Sequence, residues 1–208
     1  CLGSIEQIAA RYLAEVLAQN PDGPYIIIGY SYGGIVAYEM TRQLLAKGKT
    51  VQLLGIMDTN VSDFNLPDGK KSWLLKKTAR QFKKALFIGK NLLRYPKDVV
   101  AYQWLIFNRR FNKHYREEPE EQVYDYDTAV MEAYDNAYCN YKMAPLNVVI
   151  HLFRVQERIY FVDDPLYLGW KKYASGGVVV HDVAGDHKTF LLPPNNKKLM
   201  SIIQKCIK

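Results

Sequence analysis

The sequence has 208 residues, of which 49% are hydrophobic and 24% charged, and it carries a formal net charge of +7 at neutral pH. This composition is typical of one globular domain with a sizeable core and excludes a disordered or fibrous chain. No apolar run approaches the roughly 18 residues that a membrane span needs, and no signal peptide is recognised, so we expect a cytoplasmic protein without a transmembrane segment.

The first predicted elements form a βαβ unit. Ser4 has the spacing of a capping box and opens a helix. Residues 25–29 and 51–57 are short apolar runs, typical of strands buried on both faces of a parallel sheet, and a helix over about residues 34–47 separates them. Strand, helix and strand in this order, with short connections, predict a parallel sheet.

The pattern becomes helical after the second strand. A helix with the apolar stripe Leu75, Ala79, Phe82 and Leu86 follows, and further helical segments continue to about residue 143. The alternation of strands and helices then returns. The elements predicted there are strands over residues 146–155 and 177–183, a helix that begins at Asp164, and a final helix over residues 195–207.

These elements predict one α/β domain over residues 1–208. We expect a mostly parallel sheet with flanking helices, interrupted by a helical insertion at about residues 61–143. An insertion after the carboxyl end of a strand lies over the edge where such sheets bind ligands. We therefore expect this insertion to act as a lid.

The stretch Gly29–Gly33 has the G-x-S-x-G form of a nucleophile elbow and lies between a predicted strand and a predicted helix. Ser31 would occupy a strained turn with an exposed hydroxyl, and Gly29 and Gly33 would be small because neighbouring backbone crowds them. The backbone N–H of Tyr32, at the start of a helix, would donate to an oxyanion. Neither G-x-G-x-x-G nor Gly-Lys-Ser/Thr is present, which disfavours a phosphate-binding loop.

A serine hydroxyl needs a general base, and four histidines are candidates. His187 follows the last predicted strand, in a glycine-containing loop at its carboxyl end, and is the preferred base; His181 is the second candidate. We interpret His151 as a structural strand residue and His114 as a surface residue of the insertion.

The base in turn needs a carboxylate to orient it. Asp58 ends the strand that follows the elbow helix, at the same edge of the sheet as Ser31, and is the preferred acid. Glu157, Asp163 and Asp164 stay open as alternatives, because they follow the next strand at the same edge.

The resulting order of serine, acid and histidine is that of α/β-hydrolases. Gly29–Gly34, Met57–Thr59 and Gly185–His187 resemble motifs of the type I thioesterase domains that end nonribosomal peptide and polyketide synthases. The resemblance implies an α/β-hydrolase fold and favours Asp58 as the acid. In that family several strands precede the helix with which this sequence begins, and one of their loops supplies a second oxyanion N–H, so we expect such strands upstream.

The resemblance also implies a reaction. An acyl or peptidyl chain would pass to Ser31 from the phosphopantetheine thioester of a carrier protein, an upstream domain of the same synthase, with His187 acting first as base and then as acid. Hydrolysis or cyclisation would release the product. No cofactor or metal is implied, and the cysteines lack zinc-like spacing. The alternatives are a stand-alone type II editing thioesterase, a carboxylesterase, and a non-catalytic hydrolase-like binding module.

Fourteen of the 28 Lys and Arg residues lie within residues 61–116. Because carrier proteins are usually acidic, this charge could steer one to the enzyme. The candidate residues are Lys76, Lys77, Arg80, Lys83 and Lys84. The alternative is a solvated helix face, and nucleic acid binding is not expected because no recognition motif accompanies the charge.

Overall fold

The computed structural model describes residues 3–61, 70–111 and 128–207. The elements in these ranges are α1 (Ile5–Gln19), β1 (Tyr25–Tyr30), α2 (Tyr32–Ala46), β2 (Val51–Met57), α3 (Lys70–Arg94), α4 (Pro96–Phe111), α5 (Thr128–Asn140), β3 (Ile150–Val155), β4 (Val178–Val183) and α6 (Asn195–Ile207). None of the helices described has both the length and the apolar character needed to cross a membrane.

The chain divides into two compact units. They comprise Cys1–Asn65, Asp127–Glu157 and Asp164–Lys208 in the first unit, and Leu66–Tyr126 and Arg158–Asp163 in the second. The first unit contains all four described strands with α1, α2, α5 and α6. In the second unit α3 packs against α4, and the Arg80 guanidinium pairs with the Asp163 carboxylate at 2.7 Å. The helical insertion and its role as a lid stay predictions.

The four strands form one sheet in the order β1-β2-β3-β4, and every neighbouring pair is parallel. This confirms the predicted parallel sheet, although β3 begins at Ile150, later than expected. The register pairs Tyr30 with Met57, and Val155 with Val183. Because the carboxyl ends of parallel strands meet at one edge, the residues that follow β1, β2 and β4 come together there.

Helices cover both faces of this sheet in the first unit. α2 packs on β1 and β2, and α6 packs on β2 and β4. Ile56 lies beside Gly34 of α2, whereas Met57, the next residue of β2, belongs to an apolar cluster with Leu199 and Ile203 of α6. Since successive strand residues point to opposite faces, α2 and α6 lie on opposite sides of the sheet.

The start of α1 is as predicted. The Ser4 side chain accepts a 3.3 Å hydrogen bond from the Gln7 N–H and caps the helix. By contrast, α2 begins at Tyr32, two residues earlier than predicted, because the turn at Ser31 leads directly into the helix.

The α-helix predicted at Asp164 is wrong. The Asp164 carboxylate accepts hydrogen bonds from three N–H groups that follow it, those of Leu166, Tyr167 and Gly169. The chain nevertheless continues as turns and the short 3₁₀ segment Trp170–Lys172. Leu168 and Gly169 have φ angles of 50° and 84°, and residues in this left-handed region end an α-helix.

A buried carboxylate, Glu39, links α2 to the chain that follows α5. Glu39 is fully buried and accepts hydrogen bonds from the Arg42 guanidinium (2.7 Å), the Gln43 amide (2.8 Å) and the Tyr141 hydroxyl (2.8 Å). Burial alone would raise the pKa of Glu39, but these hydrogen bonds outweigh burial and lower it. The carboxylate is therefore held in its charged form.

Candidate functional site

Ser31 lies on the sharp turn between β1 and α2. Its φ of 52° and ψ of −123° are unusual for a residue with a side chain, and strain of this kind persists only where surrounding contacts hold it. The Ser31 N–H donates to the Met57 carbonyl at 3.0 Å, and the Ser31 carbonyl accepts from the Thr59 hydroxyl at 2.7 Å. The end of β2 thus fixes the turn.

The glycines of the turn differ in how much space a side chain would have at each position. A Cβ added at Gly29 would lie 2.1 Å from the Gly33 carbonyl oxygen, which agrees with the expected crowding. A Cβ added at Gly33 would meet nothing within 4 Å, so the expectation that Gly33 must be small is wrong. Gly34 takes that role, because a Cβ there would lie 2.1 Å from the Thr59 hydroxyl oxygen.

Asp58 follows β2 directly and is only 3% exposed. Its φ is 51°, and its N–H donates to the Phe153 carbonyl of β3 at 2.8 Å. Carboxylate oxygen Oδ1 accepts a 3.1 Å hydrogen bond from the Val155 N–H. This hydrogen bond offsets part of the desolvation cost of burying a carboxylate. The second carboxylate oxygen, Oδ2, is available to another partner.

His187 brings the three predicted side chains together. Its Nδ1 lies 2.7 Å from Asp58 Oδ2, and its Nε2 lies 3.2 Å from Ser31 Oγ. These partners assign the proton to Nδ1, which donates to the carboxylate, and leave Nε2 as the acceptor for the serine hydroxyl. The imidazole is 29% exposed, whereas the Asp58 side chain is fully buried. A hydroxyl, an imidazole and a carboxylate therefore form one hydrogen-bonded line, the arrangement that nucleophilic catalysis by serine requires.

The loop that carries His187 is held by its own backbone and by β1. The Asp186 carboxylate accepts from the N–H groups of Lys188 (2.8 Å) and Thr189 (2.9 Å). The Tyr30 hydroxyl donates to the His187 carbonyl at 2.8 Å. Sequence patterns do not predict this role of Tyr30, and the signal that they offer is its position next to the serine in the elbow.

The competing candidates are engaged elsewhere or lie outside the described residues. His151 and His181 pair with each other at 3.1 Å on the sheet. Asp164 caps the turn described above, and Glu157 is exposed to solvent. His114 falls outside the described ranges.

Tyr32 is the first residue of α2, so its N–H has no acceptor within the helix. Its side chain packs edge-on against Tyr134 of α5, with ring centroids 5.3 Å apart. Burial and, secondarily, the neighbouring Tyr134 and Asp135 raise the pKa of Tyr32 to about 12. The Tyr32 backbone N–H lies at the N-terminus of α2, and the positive end of the helix dipole there favours a negatively charged group.

A cavity of about 420 Å³ lies along β1, between α1, α2 and Tyr134. Its walls are mostly apolar and include Ile26, Ile28 and Met40. Ser31, Asp58 and His187 are not among the residues that line it. The hydrogen-bonded line of these three side chains is therefore distinct from the lining of this cavity.

A family profile and several solved structures match the chain along nearly its full length. The profile of the family described as "Thioesterase domain" matches residues 1–207. Among solved structures, a covalent complex of the NocB thioesterase domain with a fluorophosphonate nocardicin G analogue is similar, with a TM-score of 0.59 and 18% identity. That comparison covers 100% of this chain and 77% of the other, and it agrees with the expected α/β-hydrolase fold.

Curated relatives match a shorter part of the chain. The non-reducing polyketide synthase Preu8 of Preussia isomera is 48% identical over 54 residues, which is 26% of this chain and 2% of that protein. The inactive atromentin synthetase invA4 of Paxillus involutus is 41% identical over 58 residues, which is 28% of this chain and 6% of that protein. The matched segments are thus a small fraction of these curated relatives.

Proposed function

This chain belongs to the thioesterase domain family, and we propose that it releases an acyl or peptidyl chain from a thioester through a covalent intermediate on Ser31. The observation that carries the proposal is the position of His187, whose two ring nitrogens reach Ser31 Oγ and Asp58 Oδ2 at 3.2 and 2.7 Å. A histidine in this position can remove the serine proton while the carboxylate fixes its tautomer.

The first half of the proposed reaction transfers the acyl group to the protein. Ser31 Oγ attacks the thioester carbonyl carbon as His187 Nε2 takes the hydroxyl proton, and Asp58 stabilises the imidazolium. The carbon–sulfur bond then breaks, and Nε2–H gives its proton to the departing thiolate. An acyl ester on Ser31 and a free thiol result.

The second half returns Ser31 to its free form. Water, or a nucleophile within the acyl chain, attacks the ester carbonyl carbon as Nε2 takes its proton. The bond between this carbon and Ser31 Oγ then breaks, and Nε2–H returns the proton to Oγ, so release is hydrolytic or cyclising. In both halves the tetrahedral intermediate carries an oxyanion. The Tyr32 N–H is our proposed donor to it, since this group opens α2 and has no helical acceptor.

We propose a carrier protein as the partner that delivers the acyl chain on phosphopantetheine. The support comes from the relatives, which are multidomain synthases of which the matched segment is a small part. The carrier would then be another domain of the same polypeptide. Lys83 and Lys84 are exposed on α3 and offer positive charge to an acidic partner.

A non-catalytic binding module is the second candidate. One relative is named as an inactive synthetase, so similarity in this region does not by itself guarantee activity. The two candidates differ in the reactivity of the Ser31 hydroxyl, because an activated serine reacts with an electrophile and an ordinary serine does not.

A fluorophosphonate probe tests the proposal. We expect stoichiometric labelling on the peptide that contains Ser31, with labelling lost in Ser31→Ala and strongly slowed in His187→Gln. A folded protein that stays unlabelled would favour the binding module. Mass spectrometry of the products from synthetic acyl-pantetheine thioesters would then separate hydrolysis from cyclisation.

A further inference from the structure

A second cluster of reactive side chains lies on the α6 face of the sheet. His151 of β3, His181 of β4 and Cys206 of α6 converge there. His151 Nδ1 lies 3.1 Å from His181 Nε2, which lies 3.5 Å from Cys206 Sγ. One ligand atom from each residue falls within 4.8 Å of the other two. The mechanism proposed above uses none of these groups.

The spacing fits a tetrahedral metal centre. With Zn–N bonds of about 2.05 Å and a Zn–S bond of about 2.3 Å, tetrahedral angles place two nitrogens about 3.3 Å apart and nitrogen and sulfur about 3.6 Å apart. The observed separations of 3.1 and 3.5 Å are close to these values. The ligand atoms of His151 and Cys206 lie within 4.8 Å of each other, and binding of all three to one ion requires these two to come to about the same distance as the other pairs.

The environment also suits a metal. The His181 ring stacks on Phe153 with centroids 4.9 Å apart, which fixes its orientation. Burial lowers the pKa of His151 and His181, a direction that favours the neutral imidazole. All three residues are only partly buried, so an ion can reach them from solvent.

We propose that His151, His181 and Cys206 bind a borderline-soft divalent cation of the Zn²⁺ class, with the fourth position open to water. On binding, the metal–sulfur bond forms as the Cys206 thiol releases its proton to solvent. The ligands come from three separate elements, which explains why cysteine spacing in the sequence predicts no metal.

The location assigns the ion a structural role. His151 pairs in register with Gly55 of β2, and Asp58 follows three residues later, about 10 Å along the strand. The ion would thus lie away from the hydrogen-bonded line of Ser31 and would join the last turn of α6 to β3 and β4. Its expected effect is on stability and not on the reaction.

Cobalt substitution tests the ligand set on the purified protein. We expect Co²⁺ to bind with a thiolate-to-cobalt charge-transfer band, which Cys206→Ser removes. Cys139→Ser is the matched control, since Cys139 is an exposed free thiol on α5. Absence of the band from the wild-type protein, or its survival in a folded Cys206→Ser variant, would refute the site.

A second measurement needs no variant. Zn²⁺ should slow alkylation of Cys206 several-fold, read by peptide mapping, and leave the rate at Cys139 in the same molecules unchanged. Equal rates at Cys206 with and without Zn²⁺ would show that the three groups form only a polar contact. The proposal would then be wrong.

Discussion

The Tyr30 hydroxyl donates a 2.8 Å hydrogen bond to the backbone carbonyl of His187, and the two rings lie 5.0 Å apart. The residue before the proposed nucleophile thus holds the loop of the proposed base, 157 positions later in the chain. Burial, and then the charges of Asp58 and Asp186, raise the pKa of Tyr30, so its hydroxyl stays a donor.

Tyr30→Phe should act through the position of His187. Loss of a hydrogen bond worth about 0.5–1.5 kcal/mol predicts a fall in kcat of about 2- to 12-fold, with little change in KM. Steady-state kinetics with an acyl-pantetheine thioester measure both constants. Tyr25→Phe is the control, because Tyr25 makes an equivalent bond to the Asn20 carbonyl away from the site. A change in KM alone would argue against a positioning role.

Asp58→Asn should keep the fold but disturb the imidazole. The amide favours the wrong tautomer of His187, so the rate of acylation should fall on the order of 10³- to 10⁴-fold. The rate of single-turnover labelling by a fluorophosphonate reports the same activation of the Ser31 hydroxyl by His187. Asp182→Asn removes an acid that pairs with Arg154 and should leave the rate unchanged. Comparable rates for both variants would exclude Asp58 as the acid.

The glycines of the elbow should respond differently to alanine. At Gly29 the new Cβ would lie 2.1 Å from a backbone oxygen, so the free energy of unfolding should fall by about 1–3 kcal/mol or more. At Gly33 the space is open and the residue is helical, so alanine should be neutral or stabilise by up to about 1 kcal/mol. Urea denaturation compares the two, and equal losses would contradict the structure.

Glu39 should make stability depend on acid pH. Its folded-state pKa lies below the ordinary value of 4.5, so its contribution is present above pH 4.5 and is lost as the pH falls through the folded-state pKa. Glu39→Gln should lower the free energy of unfolding by about 1.5–3 kcal/mol at neutral pH, and by less in acid. Denaturant titrations across pH test this. Glu15→Gln is the control, because Glu15 pairs with Arg11 on the surface.

Charge reversal on α3 tests the proposed carrier contact. Lys83→Glu with Lys84→Glu should reduce transfer from an acidic carrier about tenfold or more at low salt, but spare a small thioester. Arg80 is left unchanged because it pairs with Asp163, and the side chains of Lys76 and Lys77 lie outside the described residues.

The control is the exposed adjacent pair Lys197 and Lys198 on α6, because Lys197→Glu with Lys198→Glu changes the net charge by the same amount. Its reversal should leave carrier transfer intact. Equal loss from both double variants would indicate a nonspecific charge effect and not a docking surface.

Local patterns were sufficient to predict the elements around Ser31. Apolar runs followed by turn residues indicated parallel strands, and parallel strands bring the residues after β1 and β2 to one edge. That geometry made Asp58 the preferred acid but left Glu157, Asp163 and Asp164 open, and the resemblance to thioesterase domains favoured Asp58. The structure places the Asp58 carboxylate 2.7 Å from His187. These predictions needed no knowledge of side-chain packing.

The errors arose where distant residues decide the outcome. The Asp164 side chain makes the same capping hydrogen bonds in this turn as it would at the start of an α-helix. The left-handed backbone at Leu168 is what turns the chain away from a helix, and the sequence pattern does not reveal it. The requirement for glycine falls on Gly34 because Thr59, from another part of the chain, occupies the space beside it. His181 and Cys206 meet only once strand register and the position of α6 are known.

The hydrogen bonds described above for Ser31, Asp58 and His187 come from residues of the unit that holds the sheet. The proposed activation of the Ser31 hydroxyl therefore uses groups that lie outside α3 and α4. Under the proposed mechanism, the sequence of these two helices can diverge, or be exchanged by design, without altering the groups that would activate Ser31.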